Sequence, residues 1–317
     1  MRLLFVLVVF IIGVMGLQAC HADNPPLTPP QEITLHFGRQ GIRDFYAYTG
    51  SKSDNFGQIL GFYSLTWNSP NLATIKLQHF GTTTKIPYVF HTMGTHLGYL
   101  THGIGDLDID AGLSQTEFTT AEQAYQDYVS LMNSLQQVGW KPYFDASHAR
   151  IATESNLNWL MYDFSYGDSK ASKPTLVGTN YVPNGLSVFN FKDWQTVINR
   201  HEYYRRFYIR LYLRDVIVTI TIEKTSEKPN PIPNQPNLEQ YMVHYHFQTA
   251  KYIFYSGNDG DRDKRSLEQQ KQEYNEEYKH HKEIRQDYEA KAKNAGFSIN
   301  EDYQDPDMWQ YIIEPAY

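Results

Sequence analysis

The sequence predicts an α+β fold, mainly antiparallel sheet with one helix packed mid-chain and one long helix near the C-terminus. Three stretches carry that expectation. Between Phe207 and Ile222 apolar residues alternate over sixteen positions, the period of a half-buried strand. From Thr119 a run with apolar residues at helical spacing ends at Gly139, and from about Asp263 to Ala295 neither glycine nor proline interrupts a series of strong helix formers. Strands on both sides of the first helix argue for helices lying on a sheet face.

In chain order, Met1-Arg2 leads into an apolar run from Leu3 to Leu17, shorter than the roughly 20 residues a spanning helix needs. A basic tip, a short apolar core and small residues before a cut mark residues 1–19 as a secretory signal. The ending Leu17-Gln18-Ala19-Cys20 resembles the lipobox of bacterial lipoproteins. That resemblance implies cleavage before Cys20, acylation of its thiol with palmitate-type chains, and attachment to a membrane through the lipid. His21 stands where an aspartate commonly retains lipoproteins at the inner membrane, so the implied location is the periplasmic face of the bacterial outer membrane. Residues 20–30, with prolines at 25, 26, 29 and 30, read as a stiff tether.

Residues 31–145 read as a strand-rich N-terminal half closed by a helix and a strand. Ile33 to Phe37, Phe62 to Trp67 and Thr74 to Phe80 alternate, with turns at Asn68–Asn71 and Gly81-Thr82, and no helix is expected before Asp110. Thr119 with Glu122 forms a capping-box pattern, and Trp140 to Phe144 reads as a strand leaving the helix.

Residues 146–317 read as a C-terminal α+β half. Ala149–Ala152 and Trp159–Phe164 fit short strands, and Phe191–Tyr204 a second helix. In the run from Phe207 to Ile222 the apolar positions change from odd to even at Arg214-Asp215. A tight turn there puts Phe207, Ile209, Leu211 and Leu213 on one face with Val216, Val218, Ile220 and Ile222; one long strand with a bulge is the alternative. Tyr241–Phe247 and Lys251–Tyr255 carry strand character. On the long helix, expected over about 263–295, the sparse apolar positions Leu267, Tyr274, Tyr278, Ile284, Tyr288 and Ala292 form a narrow seam, which fits a helix packed along its own domain or one offered to another protein.

A formal charge of −7 and a pI near 5.9 argue against nucleic acid as a partner. With Cys20 the single cysteine, lipidation leaves no thiol for a disulfide or for nucleophilic chemistry. The sequence has no Gly-x-Ser-x-Gly elbow, no phosphate-binding glycine loop and no His-Glu-x-x-His pair, and no cofactor is expected. Three weaker constellations remain. Asp106, Asp108, Asp110 and Glu117 fall at positions 1, 3, 5 and 12 of an EF-hand-like spacing, although the glycine is displaced and no helix enters. His91, His96 and His102 lie close in sequence to those aspartates and suit zinc by residue type. His244 and His246, two apart on a strand, share a face. The bland alternative for the aspartates and for His244 with His246 is a polar strand face; the spacings of His91, His96 and His102 match no common ligand motif, and the glycines between them suggest turns.

The helix leading into Gly139-Trp140 and the later strand-rich half with its long helix resemble lipoproteins that act as immunity partners of secreted antibacterial effectors. The resemblance is one of pattern and transfers no functional residue. It implies a lipid-anchored protein-binding protein that neutralises a toxin by direct contact; the acidic charge favours a basic partner, the lack of a catalytic set a non-enzymatic role, and the helix seam offers Tyr274, Tyr278 and Tyr288 as candidate anchors. The rival expectations are a metal-dependent envelope hydrolase using the 91–117 region and a structural lipoprotein of an envelope assembly.

Overall fold

A computed structural model of the chain describes residues 29–50, 54–56, 59–162, 181–182, 188–199, 206–257 and 261–314. The signal segment, Cys20, the tether up to residue 28, the end of the helix expected over 191–204 and the turn at 258–260 lie outside the described residues.

The first elements are β1 (Glu32–His36) and a helix that the alternation pattern hides, α1 (Gly38–Thr49). Its buried face is built from Gly38, Gly41 and Phe45, so the apolar stripe that marks a helix in sequence is mostly glycine. The glycine is required: a Cβ on Gly41 would meet the His36 carbonyl oxygen at 2.2 Å. There follow β2 (Asp54–Phe56), β3 (Leu60–Thr66), β4 (Ala73–His79), β5 (Thr82–Leu97) and β6 (Asp106–Gly112).

Helix α2 (Ala121–Val138) begins one residue later than its capping pattern suggests. Thr119 is held in a backbone bridge to Glu239, so Thr120 becomes the cap and accepts from the Gln123 N–H. Gly139, at φ 103°, ends the helix as anticipated. Of the expected strand at 140–144, Lys141–Pro142 forms β7. Residues 149–152 contribute a single bridge, Ile151 to Ile299, and Trp159 sits in helix α3 (Asn156–Tyr162) and not in a strand. Next come β8 (Tyr181–Val182) and α4 (Phe191–Ile198).

The hairpin is confirmed in register. Strands β9 (Arg206–Leu213) and β10 (Val216–Lys228) pair Leu213 with Val216, Leu211 with Val218, Ile209 with Ile220 and Phe207 with Ile222. Seven of these side chains are buried and Leu213 packs half-buried beside them; each full burial is worth roughly 1.5–3 kcal/mol. Arg214 turns the chain at φ 55°, a left-handed conformation usually given to glycine. Its guanidinium lies 3.7 Å from the Phe80 ring, and the Asp215 carboxylate bonds His79 at 2.7 Å. Tertiary contacts therefore stabilise a turn that Arg-Asp would not favour locally.

Strand β11 (Leu238–Thr249) runs directly into α5 (Ala250–Ser256), which replaces the strand expected at 251–255. Thr249 caps it by accepting from the Tyr252 N–H, a stronger local signal than the β-prone Ile253-Phe254-Tyr255. The long helix is α6 (Leu267–Asn294), opened by a capping box of Ser266 and Gln269, and α7 (Trp309–Ile313) follows.

Among the described residues these strands make one eleven-stranded sheet in the order β1-β4-β5-β6-β11-β10-β9-β7, with β3 also on β5, β2 on β3 and β8 on β9. Pairing is antiparallel except for β1 with β4 and β8 with β9. The β6–β11 pair joins residues 31–145 to residues 146–317, so a single sheet runs through both halves. One face packs under α1, α2 and α4, where Phe45, Tyr128 and Trp194 are fully buried. The other face is covered at one end by α5 and α7, through Ile217, Leu97, Phe254, Trp309 and Ile312. Its polar middle carries the candidate site.

Candidate metal centre

Asp106, Asp108 and Asp110 do not form a calcium loop. They lie in β6, where every second side chain shares a face, and all three point to the face opposite the main core while Leu107 and Ile109 fill that core. Glu117, exposed beyond the end of the strand, accepts from the Gln240 amide and has no part in the group. A strand cannot wrap one cation with residues spread over twelve positions, which is why the EF-hand spacing fails here.

The two neighbouring strands supply the histidines. In β11 His244 lies opposite Asp110 and His246 opposite Asp108, with Gln248 opposite Asp106. In β5 the register to β6 shifts between Val89 and His91, so that Val89 faces Ala111 while His91 faces Asp110. Without that bulge His91 would share the inward face of Val89; the extra residue re-aims it to the polar face. Of the two histidine groups singled out in the sequence, His91, His244 and His246 thus meet the aspartates on one surface. His96 and His102 do not. His96 is half-buried 6.2 Å from the Tyr63 ring, and burial lowers its pKa; His102, against Tyr255, is pushed down by burial to about 4 and is neutral at pH 7.

The contacts are close. His246 Nε2 lies 2.9 Å from Asp106 Oδ2, which also accepts from Gln248 Nε2 at 2.9 Å. His244 uses both ring nitrogens, Nδ1 at 2.7 Å from Asp110 Oδ1 and Nε2 at 3.3 Å from Asp108 Oδ1. His91 Nδ1 completes the row at 3.0 Å from Asp110 Oδ2. Three carboxylates at alternate positions of one strand repel one another, and the imidazoles offset that repulsion. Hydrogen bonds to Asp108 and Asp110 outweigh burial and raise His244 to about 9, so it is an imidazolium at neutral pH. The bond to Asp106 likewise raises His246 against the opposing effect of burial. Burial alone would raise Asp110, but His244 and His91 more than offset it and its pKa is lowered.

One ligand atom from each of Asp106, Asp108 and His246 lies within 4.8 Å of the other two, the dimension of a three-ligand cation site. Asp106 is buried, whereas Asp108 and His246 are 20% and 35% exposed, so the group opens outward to solvent. Tyr252 from α5 stands near the buried end; burial, with Asp106 and Asp108 nearby, pushes its phenol up and keeps it protonated. Gln248 was not singled out from the sequence. The alternation that placed His244 and His246 on one face extends to it, and opposite-charge pairing across strands was the available signal for the register.

The tyrosines proposed as partner anchors are turned toward the body. Tyr274 stacks on Tyr278 and contacts Phe254 and Trp309, the Tyr278 hydroxyl donates to Asp305 Oδ2 at 2.8 Å, and Tyr288 packs with Trp159, Ala292 and Phe297. Among the described residues no helix is long and apolar enough to cross a membrane. Compared with protein-family models, with curated proteins and with solved structures, the chain matches none.

Proposed function

We propose that the polar middle of the sheet binds one divalent transition metal, of the zinc or manganese type, through Asp106, Asp108 and His246, and that the metal serves hydrolysis. The observation that carries this reading is the convergence of the three ligand atoms within 4.8 Å on a surface open to solvent. Structural zinc sites are closed by four protein ligands, whereas catalytic ones keep three and leave a position for water. A metal held by these residues would supply Lewis acidity that lowers the pKa of water in that open position. His246 must give up the proton it now shares with Asp106 before Nε2 can ligate, so uptake releases a proton and weakens as pH falls.

The chain is further proposed to be held at the envelope by acylated Cys20, which makes an envelope ester, amide or phosphoester the substrate class. The reading as a protein-binding lipoprotein that neutralises a secreted effector now rests on acidic charge, because Tyr274, Tyr278 and Tyr288 are engaged in packing.

The test uses the full-length protein in detergent, stripped with EDTA and titrated with zinc or manganese by calorimetry, alongside hydrolysis of chromogenic esters and phosphodiesters. The expected result is one metal per chain, lost in Asp108→Asn and His246→Ala, with hydrolysis that EDTA removes and metal restores. A protein that takes up no stoichiometric metal, or that hydrolyses equally well in EDTA, refutes the proposal.

A further inference from the structure

We infer that His244 is a positioning residue for this centre: it bridges Asp110 and Asp108 and fixes the Asp108 carboxylate in the orientation that ligates the metal. The inference rests on the metal reading above and deepens it. His244 is not among the three residues whose ligand atoms converge; its Nδ1 lies 2.7 Å from Asp110 and its Nε2 3.3 Å from Asp108. Asp110 in turn is held from both neighbouring strands, by His244 on one oxygen and by His91 on the other at 3.0 Å. The row His91–Asp110–His244–Asp108 therefore runs across β5, β6 and β11 and ends on a ligand carboxylate.

Carboxylate ligands swing about two side-chain torsions, and a metal site binds tightly when outer partners have already removed that freedom. Asp106 has its own clamp in Gln248. Asp108 has no equivalent apart from His244 among the contacts of the described residues. The bulge between Val89 and His91 belongs to the same device, because it is what brings a second imidazole to the far side of Asp110. Asp110, despite its place in the row of aspartates, thus acts as the anchor of His244.

The experiment measures zinc affinity and the visible spectrum and X-ray absorption of the cobalt-substituted protein, for full-length wild type, His244→Ala, His244→Gln and Asp110→Asn. Removing an outer partner of a ligand costs roughly ten- to a hundredfold in affinity. The expected result is a loss of about that size in His244→Ala and Asp110→Asn, with one metal and one coordinated imidazole throughout. His244→Gln keeps an amide donor for Asp108 and regains part of the loss; it also reports the effect if the alanine variant does not fold. Unchanged affinity in all three variants overturns the inference while leaving the metal centre standing. Loss of one coordinated imidazole in His244→Ala also overturns it, since His244 would then be a ligand. If wild type binds no zinc, the metal reading fails and takes this inference with it.

Discussion

Arg285 offers the sharpest test of how the long helix is held. Its side chain, 4% exposed on α6, donates to both oxygens of Asp305 at 2.8 Å and to the carbonyl of Asp145 at 2.8 Å. Asp305 is itself nearly buried and otherwise engages the Tyr278 hydroxyl and, at 3.8 Å, Lys282. Arg285→Met keeps most of the volume but strands the carboxylate, and breaking a buried pair from one side costs about 3–5 kcal/mol. Asp305→Leu strands the guanidinium and should cost about as much. In the double variant no charge is left unpaired, although the freed carbonyl still costs about 1–3 kcal/mol. Urea denaturation of the four proteins should therefore give a double loss well short of the sum, with a coupling of about 3 kcal/mol or more. Additive losses, or an Arg285→Met loss below about 1 kcal/mol, would show that α6 is held by something other than this pair.

Three further substitutions have expected outcomes. Leu211→Asp puts an unpartnered carboxylate into the fully buried face and should abolish cooperative thermal unfolding, whereas Thr219→Asp, opposite Arg210 and His246, should cost under about 1 kcal/mol; equal losses would contradict the strand phase. Burial alone would raise Asp145, but Arg210 and the Ser147 N–H and hydroxyl hold it at about 2. Because the folded value lies below the unfolded one, its contribution is present above about pH 4 and is lost as pH falls through about 2. Arg210→Met should flatten that part of a stability–pH curve, and an unchanged slope would remove Arg210 as the cause. Cys20→Ala should abolish fatty-acid labelling and release the protein from the membrane fraction; retained labelling would end the lipoprotein reading.

The fold was legible where side-chain period and burial agree. The change of phase at Arg214-Asp215 sufficed to give the β9–β10 register, and Gly139 and the uninterrupted run before Gly296 bounded two helices. Helix α1 was illegible because glycines make its buried face, and α5 because its residues favour a strand while the Thr249 cap and tertiary packing favour a helix. The ligand types of the candidate centre were visible one strand at a time. Their assembly was not, because it depends on β6 and β11 being neighbours and on a bulge in β5, neither of which leaves a local trace. The α6 tyrosines left two readings open for a related reason: a narrow aromatic seam has the same sequence whether it faces its own domain or a partner.

The β6–β11 pairing also governs what happens before the fold is complete. A chain made from its N-terminus presents β6 long before β11 exists, so β6 waits with one edge of backbone donors and acceptors open. An open edge of that kind templates strand addition between chains. Here the waiting strand carries a carboxylate at every second position, with their histidine partners from β11 not yet made, and two such strands brought together repel. The same three aspartates that face the histidines in the finished sheet therefore guard the unfinished one against aggregation.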